Sequence, residues 1–148
     1  MLDLPRLARE DEAAALIPLF CSGAEGIGLK AHVCSSEKRP ELLTWLRQQC
    51  NKNLVRVITD NETPVGMLVL DSSRARNRIL YIVVDCRFRG KKTIGPALVR
   101  HLQSQPGIDS LRAEARNEYS KRMFIRCGFR QHDECDCGHP IMIWNRTI

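Results

Sequence analysis

The chain has 148 residues, 43% of them hydrophobic and 27% charged, which is the composition of one ordinary globular domain covering residues 1–148. That composition excludes a disordered, collagen-like or membrane-spanning protein. The net charge of +6 is local, because residues 72–105 contain eight basic residues and one acidic residue and therefore carry +7. Clustered positive charge attracts anions to one place, so it predicts an anionic ligand near this segment.

The N-terminal segment and the cysteines predict the compartment. The apolar stretch Ala13–Phe20 follows three acidic residues, whereas a secretory signal peptide would have basic residues there. No run of apolar residues is long enough to cross a membrane. The seven cysteines are odd in number and irregularly spaced, which favours free thiols over a disulfide framework. We therefore expect a cytoplasmic protein with no membrane partner.

The first third of the chain predicts a strand and two helices. The strand is Leu4–Ala8, and Asp11 then caps a helix that Pro18 kinks or ends near residue 19. Glycines at positions 23, 26 and 28 mark a loop. A second helix begins after Ser35 or Ser36, and its apolar residues share one face at helical spacing: Leu42, Trp45, Leu46 and Cys50.

The middle of the chain predicts three strands and a helix. Apolar, β-branched runs at residues 54–59 and 65–70 flank Asp60–Pro64, which is typical of a hairpin. Ile79–Val84 is almost continuously apolar, which favours a strand buried on both faces. Gly95–Gln105 predicts a helix, because Pro96 suits a first turn and the apolar residues recur at helical spacing.

The last third predicts a strand, a helix and a closing hairpin. Ser110–Arg116 is the strand, and the helix is capped by Asn117 and ended by Gly128. Its apolar face is predicted to contain Tyr119, Met123 and Cys127. Residues 129–134 and 141–144 form the hairpin. The order β-α-α-β-β-β-α-β-α-β-β predicts a single α/β (α+β) domain, a mixed sheet with helices on both faces.

The basic loop between the third long strand and the next helix is the first candidate site. It contains Gly90 and Gly95 among basic residues and leads into a helix N-terminus, a combination that can hold a phosphate group through backbone N–H donors. Pro96 and Ala97 follow where a Walker loop needs lysine and serine or threonine, and no dinucleotide-binding glycine pattern is present. A solvated basic loop is the equally weighted alternative.

Two segments resemble the GNAT superfamily of acyl-CoA N-acyltransferases. Arg89-Gly90-Lys91 and Ile94-Gly95 resemble the two ends of its pyrophosphate loop, with Lys92-Thr93 where the family has a single glycine. Residues 117–129 resemble a second family segment: Asn117, a small residue three positions later and a terminal Gly-Phe all match, and Phe124 stands in the place of the family tyrosine. Gly66 in the hairpin is also family-like. The likeness covers about the last two thirds of the chain.

The resemblance implies an acetyl-CoA-dependent N-acetyltransferase that moves the acetyl group to a primary amine by direct attack in a ternary complex. It implies acetyl-CoA as co-substrate, no metal, and a small-molecule or peptide amine as acceptor. Dimerisation is common in the family, and a homodimer is one possible state that the sequence leaves open. The pantetheine arm is expected to bind between two splayed parallel strands. The residues implied to bind acetyl-CoA are Val83, Val84, Arg89, Gly90, Lys91, Lys92, Thr93, Ile94, Gly95, Pro96, Asn117, Ser120 and Phe124.

Glu114 is the candidate general base, because acylation of an amine needs a group that removes a proton. It resembles the glutamate that some relatives use on the corresponding strand. The alternative, slightly favoured by how common surface ion pairs are, is a surface carboxylate paired with Arg112 or Arg116. For the general acid, Tyr119 and Cys127 are weak candidates, since core positions are expected for both, and solvent is the third option.

Two other functions remain open. The first is a CoA-binding module without transfer activity, which Phe124 and the altered loop suggest. The second is an RNA-associated protein, suggested by Arg74, Arg76 and Arg78, although few aromatic residues and no RNA-binding motif weigh against it. Residues 135–139 (Cys-Asp-Cys-Gly-His) have metal-ligand chemistry, but the spacing is not a zinc pattern, and a turn is the stronger prediction.

Overall fold

Seven strands form one mixed sheet in the computed structural model, which describes residues 2–26, 37–71, 77–88, 93–134 and 138–146. The strands are β1 (Arg6–Leu7), β2 (Val55–Asp60), β3 (Thr63–Asp71), β4 (Arg78–Val84), β5 (Ser110–Glu114), β6 (Arg130–Glu134) and β7 (Pro140–Asn145). The helices are α1 (Ala13–Gly26), α2 (Arg39–Asn51), α3 (Ile94–Gln103) and α4 (Glu118–Arg126), and short 3-10 turns cover Glu10–Glu12 and Cys86–Phe88. This order confirms the predicted α/β succession of elements.

The strands lie in the order β1-β2-β3-β4-β5-β7-β6. Every neighbouring pair is antiparallel except β4 and β5, which run parallel. A parallel pair needs a crossover, and α3 supplies it between these two strands. The two halves of the molecule are therefore joined at the β4–β5 junction.

Two apolar clusters cover the two faces of the sheet. The cluster on the α3/α4 face includes Leu98, Leu102 and Phe124, all of them almost fully buried. The cluster on the α1/α2 face includes Leu16, Leu46 and an aromatic group described below. Among the described residues, no helix combines the length and apolar character that a membrane span requires.

Helix α1 differs from its prediction, because it continues through Pro18 to Gly26 and so contains two of the glycines assigned to a loop. Proline inside a helix costs about 3 kcal/mol. Leu16, Leu19 and Phe20 on either side of it are buried against the sheet. Tertiary packing of this kind supplies most helix stability in proteins, and here it outweighs the local penalty.

Two burial predictions are also corrected. In β4 only Ile79 and Val83 are buried, and its other apolar residues are half-buried because the strand separates from β5. In α4 the side chain of Tyr119 is 46% exposed, and Phe124 takes its place in the core with Met123 and Cys127. Gly128 does adopt the left-handed conformation predicted for it, with φ of +90°.

The cysteines are not all free. Cys21 is disulfide-bonded, which corrects the prediction of free thiols throughout. Cys50, Cys86 and Cys127 are free thiols as predicted. Spacing along the sequence does not report which thiols meet in space, and that is why the prediction failed at Cys21.

Candidate active site

An opening between β4 and β5 is the central feature of the candidate site. The ladder between these two strands has only two pairs, Arg78↔Arg112 and Ile79↔Ala113. Beyond Ile79, β4 continues beside β3 as far as the pair Val84↔Gly66. The two parallel strands therefore splay apart as the resemblance predicted, and Val83 and Val84 lie on the part of β4 that has left β5.

A bulge in β4 lies at the point of separation. Val69 pairs with Tyr81 and Leu70 pairs with Ile79, so Leu80 is an extra residue with no partner in β3. A bulge bends its strand and increases the local twist. It also changes which residues face α1 and α2, because Ile79 contributes to the α3/α4 cluster while Tyr81 packs with the α1/α2 cluster.

Glu114 is the first residue of β5 past this ladder. Its neighbours Ala113 and Ala115 belong to the α3/α4 cluster, so alternation along the strand places Glu114 on the α1/α2 face. The side chain is 16% exposed. The candidate base thus lies beside the opening, on the same face as Tyr81.

Three side chains among the described residues lie near the Glu114 carboxylate. His139 Nδ1 lies 3.1 Å from Oε1, and guanidinium nitrogens of Arg78 and Arg116 lie 3.8 Å and 4.0 Å from Oε2. The His139 tautomer that carries its proton on Nδ1 donates to this carboxylate oxygen. The prediction of a partner at Arg116 is confirmed, whereas Arg78 and His139 were not anticipated.

The N-terminus of α3 stands at the predicted pyrophosphate position. Thr93 is its N-cap and makes no side-chain capping hydrogen bond. Ile94 is 1% exposed, and a Cβ built at Gly66 would overlap its Cγ2 atom, so the hairpin glycine lets this helix end approach the sheet. A Cβ at Gly95 would meet only Met123, at an ordinary 3.9 Å. Pro96 is buried in the first turn.

Asn117 and Ser120 form a reciprocal cap on α4. The Asn117 side chain accepts a hydrogen bond from the Ser120 backbone N–H at 2.8 Å, and the Asn117 backbone N–H donates to Ser120 Oγ at 3.3 Å. The motif therefore has a local structural role as an N-cap. Their contact with acetyl-CoA stays a prediction.

The Phe124 ring is 2% exposed and packs on Phe129 with centroids 5.0 Å apart. Its assignment to the cofactor site stays a prediction, and this packing disfavours it. Cys127 is buried as predicted, and burial raises the pKa of its thiol. Tyr119 is exposed and does not occupy the core position predicted for it. Its role as the general acid stays a prediction.

Several predicted residues lie outside the described ranges. They are the loop residues Arg89, Gly90, Lys91 and Lys92, the arginines Arg74 and Arg76, and the cysteines Cys135 and Cys137. Arg78, the third arginine of the proposed RNA-binding group, lies 3.9 Å from Asp71 as well as near Glu114. Its charge is therefore shared with two carboxylates.

Sequence reasoning missed the bulge at Leu80, the His139 contact and a cavity lined by aromatic side chains. A bulge within a continuous apolar run has no sequence signal, because long-range pairing sets the register. His139 lies 25 positions from Glu114. For the cavity, the sequence did predict that Trp45 lies on the apolar face of a helix and that Tyr81 lies in a strand, but not that the two side chains meet.

Comparison with solved structures identifies the fold. A GNAT-family acetyltransferase from Bacillus cereus is 14% identical, with a TM-score of 0.75 over 100% of this chain and 99% of that one. PaiA N-acetyltransferase from Thermoplasma acidophilum, solved with coenzyme A, is 17% identical, with a TM-score of 0.71 and 99% of each chain covered. YncA from Salmonella typhimurium, solved with its cofactor acetyl-CoA, is 16% identical, with a TM-score of 0.73 over 98% and 94%.

No protein-family model matches the chain, and neither does any curated protein sequence. The sheet order, the splayed parallel pair and these comparisons show the GNAT acyl-CoA N-acyltransferase fold, and the likeness to the Bacillus cereus structure covers 100% of the chain.

Proposed function

We propose that this protein transfers an acetyl group from acetyl-CoA to a primary amine. The observation that carries the proposal is the opening between β4 and β5 with Glu114 beside it. A fold shared with acetyltransferases solved with coenzyme A and acetyl-CoA supports it. Fold alone does not fix activity, so the proposal depends on this site.

The co-substrate fits the residues that face the opening. Val83 and Val84 lie where β4 has left β5, and the first turn of α3 has N–H donors and a partial positive charge. The four basic or glycine residues at positions 89–92 complete the proposed phosphate site. Bound acetyl-CoA supplies an activated acyl group.

Transfer moves one proton away from nitrogen and one onto sulfur. The amine nitrogen bonds to the thioester carbonyl carbon as the C–S bond breaks. Glu114 accepts the nitrogen proton, directly or through one water. The sulfur takes its proton from solvent, since Phe124 has no hydroxyl to donate.

The test is a thiol-release assay on the purified protein with acetyl-CoA and a panel of primary amines. We expect amine-dependent release of CoA and an acetyl-CoA-dependent rise in the thermal unfolding midpoint. Absence of both the thermal shift and thiol release across the panel would contradict the proposal.

Glu114→Gln tests the base. General-base catalysis contributes about 10²- to 10⁴-fold, so we expect kcat/KM to fall by about that factor with the acetyl-CoA thermal shift retained. Glu118→Gln is the matched control, because Glu118 is 75% exposed on α4 and pairs only distantly, at 4.0 Å, with Arg122. Equal activity in both variants would remove Glu114 from the reaction.

His139 is proposed as a positioning residue that orients the Glu114 carboxylate. His139→Ala should lower kcat/KM about tenfold, and His139→Gln, which keeps an N–H donor, should recover most of it. In a Glu114→Gln background the His139→Ala change should have no further effect. An undiminished effect in that background would show that His139 acts elsewhere.

A second candidate is a CoA-binding protein without transfer activity. Two observations favour it: the buried Phe124 lacks a hydroxyl, and Glu114 already has three side-chain partners. Its signature is a thermal shift with CoA and acetyl-CoA alike, without thiol release. The same two assays therefore separate the candidates.

A further inference from the structure

A cavity of about 390 Å³ lies between α1, α2 and β4, on the sheet face that contains Glu114. Small-molecule sites are clefts of about 300–1,000 Å³ with mostly apolar linings, so this volume suits a small ligand. The described residues that line it are Phe20, Lys38, Glu41, Leu42, Trp45, Leu80 and Tyr81.

Three aromatic rings form one wall of the cavity. The Phe20 and Tyr81 centroids are 5.1 Å apart at 81°, and the Trp45 and Tyr81 centroids are 5.9 Å apart at 86°. Phe20 is buried, whereas Trp45 and Tyr81 are half-buried and so present ring surface to the cavity. Edge-to-face packing braces this wall, which is a preformed surface for a flat apolar group.

The charged residues of the cavity carry no net charge. Lys38 Nζ lies 3.7 Å from Glu41 Oε2, and these side chains are 53% and 75% exposed. They therefore mark the solvent side. A polycation or polyanion gains no net attraction from this pair, so the apolar wall determines what the cavity selects.

The bulged part of β4 lies between the cavity and the strand that contains the candidate base. Leu80 and Tyr81 line the cavity, and Ile79, one residue earlier, pairs with Ala113, the neighbour of Glu114. Glu114 faces the same side of the sheet as Tyr81. Glu114 is not among the described residues that line the cavity, so a ligand with its ring on the aromatic wall reaches the carboxylate only if its amine extends out of the cavity along β4 toward β5.

We propose, on the basis of the acetyltransferase function above, that the acceptor is a small primary amine with an aromatic or similarly flat apolar group. The ring occupies the cavity against Trp45 and Tyr81, and the amine points toward Glu114. Burial of a Phe-sized group contributes about 1.5–3 kcal/mol, which corresponds to about 10- to 150-fold in affinity.

Matched acceptors test the class. The purified protein and acetyl-CoA are assayed with 2-phenylethylamine, propylamine, spermidine and a short peptide with a free N-terminus. We expect kcat/KM for 2-phenylethylamine to exceed that for propylamine by at least about tenfold. Equal values for these two amines, or a preference for spermidine or the peptide, would overturn the assignment.

Tryptophan fluorescence tests binding without turnover. The chain has two tryptophans, Trp45 in the cavity and Trp144 on β7 beside Arg146. In a Trp144→Phe variant, titration with 2-phenylethylamine should give a saturable change in Trp45 emission, and propylamine should give none. No change with 2-phenylethylamine would refute the inference even if acetyl transfer occurs. Binding without thiol release from any amine would instead refute the proposed function.

Trp45→Leu keeps the position apolar but removes the ring. We expect KM for 2-phenylethylamine to rise about tenfold, with KM for propylamine and the acetyl-CoA thermal shift unchanged. An equal rise for both amines would mean that Trp45 acts through the fold and not through the ring contact. The Trp144→Phe titration, in which the cavity is intact, decides the outcome if Trp45→Leu does not fold.

Discussion

The two faces of the sheet are filled in different ways. On the α3/α4 face, aliphatic side chains such as Leu98 and Leu102 are completely buried around the Phe124 ring. On the α1/α2 face, the aromatic wall leaves a cavity of about 390 Å³ between α1, α2 and β4. Over the described residues, the side chains named on the α3/α4 face are excluded from solvent, and we call this the closed face; the α1/α2 face is partly open at the cavity.

The described residues that carry the family resemblance and the candidate base therefore lie on different faces of the sheet. Residues of the resembling segments have structural roles on the closed face: Ile94 and Phe124 pack in its core, and Asn117 caps a helix. The candidate base and the cavity lie on the other face. A sequence motif can therefore indicate the fold through packing, while the proposed acceptor cavity is formed by residues outside the motif.

The largest expected effect comes from matched truncations on the two faces. Leu98→Ala should destabilise the protein by about 3–4 kcal/mol, because Leu98 is fully buried and its neighbours cannot collapse around the deletion. Leu42→Ala should cost about 2 kcal/mol, since Leu42 already borders a cavity. Urea denaturation measures both, and equal costs at equal m-values would contradict the contrast between faces.

Gly66→Ala and Gly95→Ala compare a close contact with an ordinary one at the start of α3. An added methyl at Gly66 overlaps Ile94, so we expect a loss of about 2–3 kcal/mol in unfolding free energy. At Gly95 the methyl has room, and stability should stay level or rise by a few tenths of a kcal/mol.

The acetyl-CoA thermal shift completes this comparison. It should be unchanged in Gly95→Ala, because the added methyl contacts the buried Met123 side chain and does not cover the backbone N–H donors of the first turn. A decreased shift in Gly95→Ala would show that the methyl group interferes with acetyl-CoA binding. A stable Gly66→Ala protein would refute the close approach of Ile94.

Low pH should lower the free energy of unfolding by breaking the Arg6–Glu12 ion pair, which lies just before α1. Arg6 donates two hydrogen bonds to the Glu12 carboxylate, at 2.7 Å and 2.8 Å, and lowers the pKa of Glu12 from 4.5 to about 2. This contribution is complete above pH 4.5 and is lost as the pH falls through 2. Because Arg6 is 39% exposed and solvent screens the pair, we expect a loss of about 2 kcal/mol.

The measurement is the free energy of unfolding against pH between 2 and 6. Glu12→Gln should flatten this dependence, and Glu118→Gln, on an exposed side chain, should leave it unchanged. A pH dependence that survives Glu12→Gln in full would assign it to other carboxylates.

Much of the fold could be predicted from sequence because the relevant signals are local. The order of elements, the Asn117 cap and the positive φ at Gly128 follow from hydrophobic periodicity and from conformational preferences of single residues. Pro18 shows the limit of such signals. Its local penalty predicts a kink or an end, but the helix continues because Leu16 and Phe20 are buried against the sheet.

The site required information about distant parts of the chain. The bulge at Leu80 depends on pairing with β3, and the Glu114–His139 contact joins β5 to the residue before β7, 25 positions away. The sequence identified Glu114 by resemblance to a strand position, but nothing local indicated its partners. The cavity arises where two helices and a strand meet, so its volume has no linear signature.

The smallest expected effect concerns Asn117, where a structural role and a ligand role predict different outcomes. Asn117→Ala removes the cap and should cost about 1 kcal/mol, whereas Asn117→Asp keeps an equally good capping oxygen and should restore stability. If Asn117 only caps α4, the acetyl-CoA thermal shift of Asn117→Asp equals that of the parent protein. If it also contacts the co-substrate as the resemblance implies, the new negative charge weakens that shift while the unfolding midpoint without ligand is maintained. The pair of variants therefore determines whether the motif on the closed face contributes only to the fold or also to binding.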